Sequence, residues 1–191
     1  MEHTGTVGAV TRKVLLEGPP GVGKTTVVRR LVDLLREAGI PLVGFTTREL
    51  REQGRRVGFA AHGIGGPEVV IAHVGWTAGP SVGRYRVDVA AFERLALPAM
   101  RRADDLDGIV VIDELGRMEL ASAAFVNAVG ELFERDVALC ATVHVFGHPF
   151  TDELKRHPDV QRIEVTPENR KDLPARLLSL FAAGRHTDAS V

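Results

Sequence analysis

The sequence has almost no cysteine and no long apolar run. Only one cysteine, Cys140, occurs in 191 residues, which excludes an intramolecular disulfide and indicates a reducing compartment. Because Cys140 lies in an apolar run, we expect a small buried side chain there and not a nucleophile. No apolar stretch reaches membrane-spanning length and no signal-peptide pattern is present, so we expect a cytoplasmic protein without a membrane partner.

An excess of charge of either sign is also lacking. The chain has 24 basic and 25 acidic residues, and no long basic run that would indicate a nucleic-acid patch. The length favours a single domain, which we expect over residues 12–183, with a flexible leader at 1–11 and a polar tail at 184–191. We expect a monomer or a weak homo-oligomer.

The most informative stretch fits the phosphate-binding P-loop pattern G-x-x-x-x-G-K-[ST]. Its glycines let several backbone N–H groups converge on one anion. We expect Lys24 to reach the β- and γ-phosphates of a nucleoside triphosphate, and the Thr25 hydroxyl to ligate Mg²⁺. The predicted nucleotide-binding residues are Gly18, Pro19, Pro20, Gly21, Val22, Gly23, Lys24, Thr25 and Thr26.

The sequence on both sides of this loop is typical of a strand followed by a helix. Lys13 to Glu17 is a short, mostly apolar run that predicts a strand. Gly39 and Pro41 mark the end of the helix. Its apolar positions, at helical spacing, are Val27, Val28, Leu31, Leu34 and Leu35. The helix N-terminus is therefore expected to point at the phosphates.

A second part of the site is predicted where the apolar run 109–112 meets Asp113 and Glu114. A continuous apolar run is typical of a strand covered on both faces, and the carboxyl end of a parallel strand faces the ligand crevice. We expect Asp113 to hold Mg²⁺ through a water, opposite Thr25, and Glu114 to act as the base that polarises the attacking water. The alternative is an acidic N-cap pair for the next helix.

Thr142 and His144 end the next apolar strand, predicted over 137–143. In a parallel sheet that end opens on the same crevice, so either residue is a candidate sensor of the γ-phosphate. The alternative, which the sequence leaves open, is an ordinary polar residue at a strand end.

Charge on the transferred phosphoryl group must also be neutralised, and arginine is the usual source. Arg84, beside Tyr85, and Arg117, three residues after Glu114, are the leading candidates for this catalytic role. For each of them the alternative is a solvated surface side chain.

The rest of the chain predicts an α/β fold with an antiparallel insert at about 48–87. A strand over 41–47, a turn at Gln53-Gly54 and returning strands over 55–64 and 68–74 form the predicted meander. A helix is predicted over 89–103, with Pro98 expected to kink or interrupt it. Helices and strands then alternate. They are a helix from Leu120 to Phe133, a short helix over 152–156, a strand over 160–165 and a terminal helix opening at Pro167.

Four stretches together resemble the THEP1 family of P-loop nucleoside-triphosphatases. They are residues 18–26, residues 44–49 with Gly58-Phe59, residues 82–88 and residues 113–120. The resemblance covers residues from about 12 to 181. It implies a three-layer sandwich with a RecA/AAA-like, mostly parallel sheet and an added antiparallel portion. It also implies Mg²⁺-dependent hydrolysis of ATP, GTP and other nucleoside triphosphates, with broad base tolerance.

Carried over by position, the resemblance makes Lys24 and Thr25 the phosphate and Mg²⁺ ligands, Asp113 the Walker B acid and Glu114 the base. A nucleoside or small-molecule kinase shares the P-loop and the size, but normally adds an arginine-rich lid and an acceptor site near a D-R or D-x-x-R signature. The Asp113-Glu114 pair lacks that signature and favours hydrolysis, although Arg117 keeps the kinase open. A slow nucleotide-gated switch is the third possibility.

Overall fold

The computed structural model describes residues 13–103, 107–144 and 147–183. The predicted leader at 1–11 and the predicted tail at 184–191 lie outside these residues. The strands are β1 (Lys13–Glu17), β2 (Leu42–Glu52), β3 (Arg55–Gly63), β4 (Glu68–His73), β5 (Ser81–Val82), β6 (Tyr85–Val87), β7 (Ile109–Leu115), β8 (Ala138–Val143) and β9 (Val160–Glu164). The helices are α1 (Lys24–Glu37), α2 (Val89–Arg101), α3 (Ala123–Glu134), α4 (Pro149–Leu154) and α5 (Leu173–Ala183), with a 3-10 turn at Glu119–Ala121.

All of these strands belong to one sheet, in the order β5-β6-β4-β3-β2-β7-β8-β1-β9. The pairs that join β2, β7, β8, β1 and β9 are parallel, whereas those that join β2, β3, β4, β6 and β5 are antiparallel. Strand β2 is shared by the two halves. The predicted α/β class with an antiparallel insert is confirmed.

The alternation of side chains along β1 explains why helices cover both faces of the parallel half. Val14 and Leu16 pack in a core with α1 and α5, whereas Leu15, between them, packs in a second core with α2 and α3. Successive residues of a strand point to opposite faces, so an unbroken apolar strand needs a helical layer on each side. The result is three layers, helices on either side of a sheet.

Pro98 was expected to kink or interrupt α2, and the interruption does not occur. The helix continues to Arg101 and buries Ala96 and Met100 on either side of the proline. Proline removes a hydrogen bond to the carbonyl of residue i−4, here Arg94, which is exposed and therefore accessible to water. Its position in the last turn leaves few further helical bonds to lose.

The terminal helix begins at Leu173 and not at Pro167, so its predicted start was wrong. The backbone N–H of Thr166 donates to Asn169 Oδ1 at 2.9 Å, and the N–H of Asn169 donates back to Thr166 Oγ1 at 3.3 Å. Side chains that bond nearby backbone groups in this way compete with helix formation. A turn consequently occupies the residues between Glu164 and Leu173.

Helix α3 also begins later than predicted, because Leu120 lies in the 3-10 turn. Ser122 caps α3, its Oγ accepting a hydrogen bond from the N–H of Phe125 at 3.0 Å. Cys140 is fully buried in β8, as its apolar surroundings predict, and burial raises the pKa of its thiol to about 12. Across the described parts of the chain, no helix is long and apolar enough to span a membrane.

Candidate active site

The P-loop connects β1 to α1 and depends on glycine backbone conformations. Gly23 forms the N-cap of α1 with φ 115°, a left-handed conformation that side chains disfavour. At Gly18, with φ 155°, an added Cβ would lie 2.9 Å from Val22 Cγ1 and 3.1 Å from Val165 O. The loop is therefore curled tightly, as a cradle of backbone N–H groups requires.

The ammonium group of Lys24 lies across this loop. Its Nζ donates to Gly18 O at 2.8 Å and approaches Pro19 O at 3.5 Å, and the residue is only 6% exposed. An ammonium has three donors, so at least one remains for a phosphate oxygen. The loop carbonyls thus hold a buried positive charge at the start of α1, where the helix dipole also favours an anion.

The predicted partnership of Thr25 and Asp113 is present in the geometry. Thr25 Oγ1 donates to Asp113 Oδ1 at 3.3 Å, and Thr142 Oγ1 donates to the same oxygen at 2.8 Å. Asp113 is fully buried, and burial raises its pKa to about 6; the hydrogen bond from Thr142 opposes this shift, and the charge of Glu114 adds to it. The N-terminus of α1 and the strands β7 and β8 therefore meet at one crevice.

The residues present fit a hard divalent cation. Among the described residues, Asp113 Oδ2 has no hydrogen-bond partner although it is buried. A buried carboxylate oxygen without a partner is costly, and a bound cation would satisfy it. Mg²⁺ prefers oxygen ligands and takes only one or two from protein, with waters completing its shell. Thr25 and Asp113 supply that set.

Glu114 follows Asp113, and its side chain contacts His144, the residue directly after β8. Its Oε1 lies 2.8 Å from Nε2 of His144, and the two side chains are 24% and 32% exposed respectively. Both are thus reachable from solvent, unlike Asp113. The structure places His144 beside the carboxylate of Glu114, and Thr142 beside Asp113.

Comparison with known proteins shows the family of this chain. The family model described as NTPase matches residues 13–178. The human cancer-related nucleoside-triphosphatase is 38% identical over 189 residues, which cover 92% of this chain and all of the human protein. The chain belongs to the NTPase family. Another member, the nucleoside-triphosphatase THEP1 of Methanothermobacter thermautotrophicus, is 40% identical over 170 residues, covering 88% of this chain and 95% of that protein.

A solved structure from the same family has this fold. The crystal structure of THEP1 from Aquifex aeolicus superposes with a TM-score of 0.79 at 35% identity, over 88% of this chain and 98% of that chain. The predicted resemblance to THEP1 and the predicted P-loop NTPase fold are thereby confirmed. The family match includes both the P-loop and the acidic end of β7.

The two candidate arginines occupy different places. Arg117 is exposed and follows β7 directly, and no hydrogen bond or ion pair of its side chain is found with the described residues. Arg84 lies between β5 and β6, at the opposite end of the sheet from β1, where it donates to the carbonyl of Arg56 and to Tyr85 Oη. The structure therefore does not bring Arg84 to the P-loop of its own chain.

Glu119 is a buried acid that the sequence analysis did not single out. It is 5% exposed, in the 3-10 turn after β7, and a Cβ added at Gly116 would lie 2.8 Å from Glu119 Oε2 and 2.9 Å from Glu114 Oε1. Burial, with a smaller contribution from the charge of Glu114, raises the pKa of Glu119 to about 8. The signal available in the sequence was a third acid six residues after Asp113.

Arg170, in the turn before α5, is a second residue that sequence reasoning missed. Its Nη1 donates to Val22 O at 3.1 Å, and its Cδ lies 3.3 Å from the position of a Cβ on Gly23. This turn follows β9, on the side of β1 away from the acids of β7. No local pattern indicates the contact, because it joins parts of the chain that are 148 residues apart.

Proposed function

We propose that this protein hydrolyses nucleoside triphosphates to the diphosphate and phosphate in a Mg²⁺-dependent reaction. One observation carries the proposal: Thr25 of the P-loop helix and Asp113 of β7 already touch, with Glu114 beside them. A phosphate cradle, a cation-binding pair and a base are then adjacent. The names of the relatives, nucleoside-triphosphatases, support the same activity.

The P-loop binds the polyphosphate in this mechanism. Backbone N–H groups of the loop and the Lys24 ammonium neutralise the β- and γ-phosphates and hold them in line for attack. Thr25 and Asp113 would hold Mg²⁺, which supplies positive charge to the β- and γ-oxygens when it is bound. Thr142 orients Asp113 through its 2.8 Å hydrogen bond, which leaves Oδ2 directed elsewhere.

Glu114 carries out the proton transfer. Its carboxylate accepts a proton from a water whose oxygen forms the new bond to the γ-phosphorus. The bond from that phosphorus to the β–γ bridging oxygen breaks, and the electron pair leaves with the diphosphate. Glu114 suits this role because it is partly exposed and can reach a water, whereas Asp113 is fully enclosed.

Broad base tolerance is a further part of the proposal. The groups of the P-loop itself are backbone amides, the Lys24 ammonium and the hydroxyls of Thr25 and Thr26, all of which recognise features shared by ATP, GTP, CTP and UTP. Base contacts would have to come from outside the loop. We also propose a cytoplasmic location and a single domain over residues 12–183, as the sequence suggests.

The kinase alternative has one observation in its favour. A cavity of about 330 Å³ lies between α1 and the β2–β3 hairpin, and Arg29, Thr46 and His62 are among its lining residues. Thr46 is the register partner of Asp113, so the cavity begins beside the catalytic end of β7. A phosphoryl acceptor bound there would lie near the predicted γ-phosphate. The nucleotide-gated switch would bind the same nucleotides with negligible turnover, and its output would be a contact with a partner.

A phosphate-release assay separates these functions. It uses ATP, GTP, CTP and UTP in turn, with Mg²⁺ or with a chelator, and with a panel of hydroxyl-bearing acceptors. The proposal predicts phosphate release from all four nucleotides, dependent on Mg²⁺ and indifferent to the acceptors. Diphosphate formation that requires an acceptor would establish the kinase, and binding without measurable turnover would establish the switch.

A further inference from the structure

His144 directly contacts the proposed base. It follows the last residue of β8, and its Nε2 lies 2.8 Å from Glu114 Oε1. At this N···O distance the imidazole can donate an Nε2–H, and the carboxylate oxygen can accept it. The sequence offered His144 as a candidate γ-phosphate sensor, but its imidazole is engaged with an acid of the neighbouring strand.

Asp113 and Glu114, consecutive acids of β7, lie beside two residues at the end of β8 that are two positions apart. Thr142 donates to Asp113, and Nε2 of His144, two residues later, lies 2.8 Å from Glu114 Oε1. Residues two apart on an extended chain share a face, whereas neighbours point to opposite faces. The β7–β8 register shifts between Ile112 and Leu115, at the place where both acids come within reach of that face.

The backbone of His144 is itself anchored. Lys155 Nζ, from the end of α4, donates to His144 O at 3.1 Å. The Lys155 side chain is only 9% exposed and lies 3.7 Å from Glu17 and 3.6 Å from Asp152. A buried cation held by two carboxylates fixes the chain at this point, so the imidazole is presented to Glu114 from a defined position.

We propose that His144 is a positioning residue for Glu114. The Nε2–H holds Oε1, which fixes the carboxylate plane and leaves Oε2 to take the proton from the attacking water. Charge-assisted hydrogen bonds are short and directional, and a base displaced by about 1 Å loses much of its effect. This inference rests on the proposed function, in which Glu114 is the base.

Two substitutions of His144 test the positioning role. His144→Leu keeps a bulky side chain but removes the donor, whereas His144→Gln places an amide N–H near the position of Nε2. The first should lower kcat for MgATP about ten- to a hundredfold with KM changed less than about twofold, and the second should restore most of kcat. His73→Leu, the same change at a histidine of β4 in the antiparallel half of the sheet, is the matched control and should leave both constants unchanged.

A double-mutant cycle with Glu114→Gln completes the test. If His144 acts through Glu114, His144→Leu should cause little further loss in the Glu114→Gln background. An undiminished loss there, or a rise in KM with unchanged kcat, would overturn the positioning role and assign His144 to the nucleotide. Wild-type turnover in Glu114→Gln alone would instead overturn the proposed base, and the positioning role with it. Thermal melting of each variant confirms that it is folded.

Discussion

Lys24 is the residue on which nucleotide affinity should depend most. Replacing it with alanine removes a buried side-chain cation that donates to the loop carbonyl of Gly18. We expect Lys24→Ala to weaken MgATP binding roughly a hundredfold, since charge-assisted bonds to phosphate are lost. Isothermal titration calorimetry measures this change, with Lys171→Ala, at an exposed lysine, as the control. Unchanged affinity in Lys24→Ala would contradict the site assignment.

Glu119 predicts a pH dependence of stability. Its pKa in the folded protein is raised to about 8 from the ordinary value of 4.5, so the folded state binds its proton more tightly. The stability that protonated Glu119 contributes is complete below about pH 4.5 and is lost as the pH rises through about 8. Glu119→Gln, which stays neutral, should therefore melt at the wild-type temperature near pH 5.

The same variant should melt above the wild-type temperature near pH 9, by about 2–4 °C for each kcal/mol that the charged form costs. Differential scanning calorimetry without nucleotide or divalent cation follows this difference. A gap between the two melting temperatures that is constant from pH 5 to pH 9 would show that Glu119 does not titrate in this way. Glu114→Gln measured alongside shows how much of the shift its charge causes.

At the scale of elements, the junction between the two halves of the sheet depends on Gly44. This residue of β2 has φ 120°, and an added Cβ would lie 1.9 Å from Val111 O on β7. Gly44→Ala should therefore separate β2 from β7 and destabilise the fold by more than about 3 kcal/mol.

Gly39 is the matched control for Gly44, since it also has a positive φ, 67°, but nothing lies within 4 Å of its Cβ position. Gly39→Ala should cost about 1–2 kcal/mol from backbone conformation alone. Urea unfolding of both variants measures the difference. Equal destabilisation would mean that the close approach of β2 and β7 is not limiting.

Sequence periodicity predicts most of these elements because their cause is local. A pattern of about ten residues or fewer is enough to recognise each of three elements: the P-loop, the buried run of β7 and the hairpin turn at Gln53-Gly54. The interruption expected at Pro98 and the helix starts expected at Pro167 and Leu120 do not occur, and the reasons are also local. In each case a capping side chain or the packing of neighbouring turns outweighs the residue that was taken as the boundary.

Sequence alone predicts the site through one rule: the carboxyl ends of neighbouring parallel strands open on the same crevice. That rule places Asp113, Glu114, Thr142 and His144 at one crevice, but it does not say which side chain touches which. The pairing of His144 with Glu114 depends on the register shift between β7 and β8, and the contact of Arg170 depends on how the turn after β9 folds. Such contacts are tertiary, so no spacing in the sequence indicates them.

At the scale of the whole molecule, we expect a single chain to be sufficient for turnover. Arg117 follows the site in its own chain, whereas Arg84 is held at the far end of the sheet and would have to act on a second copy. We expect specific activity to stay constant over a wide range of protein concentration, and Arg117→Ala to lower kcat at least tenfold. Specific activity that rises with concentration in the wild type but not in Arg84→Ala would assign the role to Arg84 in trans.

Single-turnover phosphate release from Glu114→Gln tests the central claim most directly. Glutamine keeps the size of the side chain and can still contact His144, but it cannot accept a proton from water. We predict that this variant binds MgATP with nearly wild-type affinity and releases phosphate about a hundredfold or more slowly. Release at the wild-type rate by the fully loaded variant would contradict the claim that the acids of β7 and the P-loop together form a hydrolytic site.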